Sequence, residues 1–85
     1  MAEILAVTGA ITSATRLAGV LEKRGCIKAR VVHTPAEISQ GGCSYSVKLP
    51  ESCMSILLSA SGRFRIKGIY RERTENGEAV YDNIS

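Results

Sequence analysis

Side chains able to make and break covalent bonds under mild conditions are few in this chain: three cysteines, Cys26, Cys43 and Cys53, and one histidine, His33. Cys43 directly follows Gly41 and Gly42, and a glycine pair opens backbone angles closed to other residues while leaving N–H donors near a neighbouring sulfur. A cysteine is a nucleophile only as its thiolate, which is favoured by backbone donors and by the positive end of a helix. Cys43 is therefore the candidate nucleophile, with Gly41 and Gly42 as supports. The competing reading is a small buried hydrophobe opening a strand. Cys26 follows a helix end and Cys53 sits on an apolar helical stripe, so both read as packing residues. His33, two positions before Pro35, reads as a solvated or packing side chain rather than a base. The cysteine spacings contain no CxxC pair and one histidine completes no zinc pattern, so neither a metal nor another cofactor is expected. The cysteine count is odd and the N-terminus does not resemble a signal peptide, so a cytoplasmic setting without a disulfide framework is expected, with at least one thiol free.

These residues must be positioned by short elements. Glu3 to Thr8 (EILAVT) is too short for a helix and reads as a strand buried on both faces, central in its sheet. Thr12 or Ser13 then offers an N-cap oxygen. Ala14, Leu17, Ala18 and Leu21 form a helical stripe that stops at Gly25. From Ile27 the apolar period becomes two until Pro35, a second strand. PAEISQGG is a loop composition. Cys43 to Leu49 alternates again, with Cys43, Tyr45, Val47 and Leu49 on one side, and Pro50 ends it. Cys53, Ile56, Leu57 and Ala60 make a second helical stripe before Gly62. Phe64 to Arg71 reads as a fourth strand, with Phe64, Ile66 and Tyr70 inward and Arg65, Lys67 and Ile69 outward.

The order β-α-β-β-α-β predicts an α+β, ferredoxin-like split βαβ fold: a four-stranded antiparallel sheet, order 4-1-3-2, with both helices on one face. In that topology Cys43 falls at the sheet edge near Thr8 to Ser13, while Cys26 and Cys53 fall at the opposite edge. Residues 1–73 form the domain, and residues 74–85 an acidic tail whose Asn76-Gly77 step suits a hairpin turn.

A net charge of +3 names no partner by itself. Lys28, Arg30, Lys48, Arg65 and Lys67 are expected on a helix-free face, which would attract acidic proteins or RNA. RNA readers of this kind stack bases on exposed aromatics, whereas Phe64, Tyr45 and Tyr70 are expected on the core side, so no nucleic-acid binding is expected. The longest apolar run, Ile4 to Val7, is too short for a bilayer, and no membrane association is expected.

Thr34-Pro35-Ala36-Glu37-Ile38-Ser39 followed by Gly-Gly-Cys-Ser-Tyr-Ser-Val, the Arg24-Gly25 helix end and Gly68-Ile69-Tyr70-Arg71 resemble the selenium/sulfur carrier-like family of small bacterial proteins. The resemblance covers nearly the whole domain. It implies that Cys43 carries sulfur or selenium as a persulfide or perselenide between donor and acceptor proteins, rather than acting as a stand-alone catalyst. Gly41, Gly42, Thr12 and Ser13 would then stabilise the charged sulfur, and Arg30 and Lys48 would guide acidic partners. The alternative function is an interaction or small-ligand regulatory module in which Cys43 is structural.

Overall fold

A computed structural model describes residues 2–39 and 44–85. Gly41, Gly42 and Cys43, the centre of the expected site, lie outside the described residues. The strands are β1 (Glu3–Gly9), β2 (Arg30–His33), β3 (Tyr45–Pro50), β4 (Gly68–Glu75) and β5 (Glu78–Asn83). The helices are α1 (Ile11–Lys23), the single turn α2 (Ala36–Ser39) and α3 (Met54–Ala60).

The protein is α+β, and its five strands form one antiparallel sheet in the order β2-β3-β1-β4-β5. The expectation of four strands is therefore corrected. The acidic residues after 74 complete β4 and supply β5, turned at Asn76 and Gly77, whose φ values of 53° and 80° suit a tight hairpin. β1 is central, and Ile4 to Thr8 are all buried, as its unbroken apolar run requires.

On one face of the sheet, Ile4, Ala6, Val47, Leu49 and Ile69 pack against Ala14, Leu17 and Leu21 of α1 and Leu57 and Ala60 of α3. This single core follows the helical and strand periods of the sequence. Truncating a fully buried leucine in it costs roughly 2–5 kcal/mol. The opposite face is not free of helix. The register aligns Val7 with Gly68 and Leu5 with Tyr70 there, and Ile38 of α2 lines a hollow on this face together with Val7, Gly68 and Tyr70. Thr34 and Ser46 share a buried 2.6 Å hydrogen bond beneath the same connection. A polar pair buried this way needs its mutual bond, and no buried side-chain polar atom among the described residues lacks a partner.

Two expected elements shift. β2 begins at Arg30 rather than Ile27; Ile27 is 76 % exposed, in a turn closed by the Ala29 N–H donating to the Cys26 carbonyl. Lys28, in this turn, is not on a strand. β4 begins at Gly68 rather than Phe64, so Arg65 and Lys67 also precede the strand. Phe64 and Ile66 pack against the core, yet the next core residue is Ile69, so the alternation slips by one position before β4. Tyr70 consequently lies on the face away from α1 and α3, with its ring folded over Gly68, where a Cβ would stand 2.9 Å from the ring.

The absence of a disulfide is also corrected: Cys26 and Cys53 are joined, with Cα atoms 6.0 Å apart. Cys26 follows the turn after α1, and Cys53 ends a 3-10 turn after β3, so both stand where β1 begins. An odd cysteine count bears on the total and not on whether two particular residues meet, and this separation lies within the usual disulfide span.

Candidate functional site

The chain tracing gathers four pieces at the end of the strands where β1 stops: Thr8 and Gly9, the first turn of α1, Ser44 with Tyr45, and residues 64–67. Gly9 pairs with Tyr45, and the Thr8 hydroxyl donates to the Tyr45 carbonyl at 3.0 Å. The Lys67 N–H donates to the Val7 carbonyl at 2.7 Å, and the Thr34 N–H to the Ser44 carbonyl at 3.0 Å. The residue immediately after Cys43 is thus fixed at this end by hydrogen bonding on its own carbonyl.

A cavity of about 310 Å³ opens here, lined by Val7, Ile38, Ser39, Ser44, Lys67, Gly68 and Tyr70. Ser39 and Ser44 are the described residues on either side of residues 40–43. The cavity therefore has two hydroxyls at the ends of that connection, a cation at one wall and an aromatic ring at another. The Lys67 ammonium lies against Gly9: a Cβ at position 9 would stand 3.2 Å from Nζ. Gly9 also has φ +99°, which disfavours any side chain. Among the described residues no carboxylate lies within ion-pair distance of Lys67. An ammonium without a counter-ion beside two hydroxyls suits a small anionic group.

The other expected site residues separate. Thr12 is exposed and Ser13 half-buried, both inside the first turn of α1, but neither caps it; the N-cap is Ala10, without a side-chain bond. Ser13 instead lines a second cavity, on the α1 side of the sheet, together with Arg16, Val20, Arg63, Phe64 and Arg65. Arg30 and Lys48 lie at the far end of the strands, where β1 begins. Both terminal guanidinium nitrogens of Arg30 donate to Glu3, at 3.0 and 3.1 Å. Lys48 is 3.1 Å from Glu72 and 3.7 Å from Glu3, and the Tyr81 hydroxyl donates to Glu72 at 3.1 Å. The hydrogen bond from Arg30 holds the Glu3 carboxyl below its usual range, against the opposing effect of burial and aided by the charges of Arg30 and Lys48. Burial, followed by the bond to Glu72, pushes the Tyr81 hydroxyl up. Glu51 binds Arg71 at this same end, at 2.6 Å. His33 is exposed, its ring centroid 4.6 Å from that of Tyr45.

Ser39 and Ser44 are placed in no site by the sequence, which gives Lys67 and Tyr70 other roles, a basic face and the core. Strand alternation assigns Lys67 to a broad basic face, whereas topology carries the missing signal. The residue leading into a strand antiparallel to β1 must stand where β1 stops, beside the start of β3.

Among the described residues no group of three or more His, Cys, Asp or Glu could hold a metal ion, and no helix is long and apolar enough to cross a membrane. In comparisons with known proteins, a family model described as "Putative Se/S carrier protein-like" matches residues 3–71, which include the whole of β1 to α3 and the first half of β4. No curated protein and no solved structure matches the chain.

Proposed function

Since the chain belongs to this Se/S carrier protein-like family, we propose that it carries sulfur or selenium on Cys43, receiving it from one protein and delivering it to another. The observation that carries this reading is the cavity bracketed by Ser39 and Ser44 and walled by Lys67. Cys43 directly precedes Ser44, and the joining of Cys26 to Cys53 leaves it as the remaining cysteine.

In the loading step the Cys43 thiolate attacks the outer sulfur of a donor persulfide. The new bond joins Cys43 to that sulfur, the donor's own S–S bond breaks, and the donor leaves as a thiolate; one S–S bond replaces another and no external oxidant is consumed. A nucleophile of the acceptor then attacks the outer sulfur and returns Cys43 to the thiolate. A perselenide follows the same course. Lys67 stabilises the anion in both steps, the α1 N-terminus is the expected source of further positive potential, and the glycine pair beside Cys43 in the sequence suits a thiol that must meet two partners. Arg30 and Lys48 are paired with carboxylates, which favours Lys67 over them as the cation that guides a partner.

Intact mass after incubation with a small-molecule persulfide, followed by removal of excess donor, tests the proposal. The expected result is a gain of one sulfur that is absent in Cys43→Ser and is passed on to an added thiol acceptor. A gain that persists in Cys43→Ser, or no gain at all, supports the alternative of an interaction module with Cys43 in a packing role.

A further inference from the structure

The second cavity, about 390 Å³, is walled by three arginines from two segments: Arg16 on α1, and Arg63 and Arg65 on the stretch that follows α3. All three are exposed, and among the described residues none has a carboxylate within ion-pair distance. The contrast with the strand cations is direct. Arg30, Lys48, Arg71 and Arg73 each hold at least one carboxylate, Arg73 being shared by Glu75 and Asp82. Lys23 and Lys28 are likewise without carboxylates, but they line neither cavity.

Three guanidinium groups around one hollow repel one another, and an occupant with several negative charges relieves that repulsion. Ser13, Arg16 and Val20 are spaced three and four residues apart, so they form one stripe along α1. The stripe supplies a hydroxyl donor, a cation and an apolar contact in that order. Phe64 and Val20 give the hollow an apolar component, and both also pack against the core.

We infer that this groove receives an acidic segment of a partner protein, with glutamate or aspartate side chains on the arginines and an apolar side chain against Phe64 and Val20. Guanidinium pairs with carboxylate through two parallel hydrogen bonds, which gives an acidic peptide a defined seat rather than a diffuse attraction. A single-stranded nucleic acid, also anionic, stacks successive bases on several aromatic rings, and this hollow offers one half-buried ring, Phe64. The inference goes beyond the carrier reading and does not depend on Cys43. It concerns how a partner is held, whatever chemistry follows.

The test is fluorescence anisotropy of a labelled peptide of repeated Glu and Leu, against the full chain at low and at physiological ionic strength. Arg16→Ala, Arg63→Ala and Arg65→Ala should each weaken binding about fivefold, and the triple variant should abolish it. Because the three side chains are exposed, these variants retain the fold. The control is Lys23→Ala with Arg24→Ala and Lys28→Ala, an equal change of net charge outside the groove, which should alter binding less than twofold. An equal loss in control and groove variants, tighter binding of single-stranded RNA than of the peptide, or no binding by the wild-type chain at low ionic strength would overturn the inference.

Discussion

Where β1 begins, Cys26 is joined to Cys53, Glu3 is shared by Arg30 and Lys48, and Glu51 holds Arg71. Where β1 stops, Lys67, Arg16, Arg63 and Arg65 line two cavities without a carboxylate partner among the described residues, and the chain passes through the connection that contains Cys43. The two ends of one sheet thus differ in kind. The first ties Glu3, Glu51 and Glu72 to Arg30, Arg71 and Lys48 and joins two cysteines, leaving Lys23 and Lys28 outside those ties. The second keeps its positive charge available to something outside the chain. Antiparallel pairing through the buried middle of β1 already fixes the second end, so its position does not depend on ion pairs.

The largest effect that sharpens this contrast is expected from the disulfide. It closes a loop between positions 27 residues apart, so replacing Cys26 and Cys53 together by Ala should destabilise the fold by about 3.5 kcal/mol in the chain-entropy account. Chemical denaturation would measure the loss. If the ends are independent, the double variant should still accept persulfide sulfur on Cys43.

Gly9→Ala probes the second end. Its φ of +99° and the Lys67 ammonium against it both oppose a methyl group, and the substitution should cost about 1–3 kcal/mol while slowing reaction of Cys43 through displacement of Lys67. A denaturation midpoint equal to that of the wild type would show that the Gly9 conformation is unstrained.

The smallest effects concern charge at the first end. The Glu3 carboxyl is held below its unfolded value, so its stabilisation is present above about pH 4 and is lost as pH falls through the lower folded value. Glu3→Gln should cost about 0.5–1 kcal/mol at neutral pH and flatten the acid limb of the stability profile. Tyr81 behaves in the opposite sense: its raised value gives a stabilisation present below about pH 10 and lost as pH climbs through the folded value. Tyr81→Phe should flatten the alkaline limb. Denaturation midpoints across pH check both, and unchanged limbs would remove these groups from the first end's network.

Periodicity made β1, the stripes of α1 and α3, and the inward side of β3 legible, because burial on a regular element repeats along the chain. The Asn76-Gly77 turn was legible for a local reason, its tolerance of positive φ. The disulfide, the placement of α2 and the slip before β4 were not, since each depends on contacts distant in sequence. Tyr70 illustrates the point: alternation from Phe64 assigns it inward, and only its ring lying over Gly68 puts it on the other face. For the candidate site, Cys43 stands out by residue type but lies outside the described residues, while Lys67 needed the antiparallel partnership of β1 and β4.

Central to this account is that the open end activates the one thiol left outside the disulfide. Alkylation under non-reducing conditions, followed by peptide mapping across pH, measures that directly. The account predicts that Cys43 alone is labelled, with half-titration below the free-thiol value of about 8.5, and that Lys67→Gln raises it. Labelling of Cys26 and Cys53 at rates equal to Cys43, or a Cys43 that titrates at or above the free-thiol value, would contradict it.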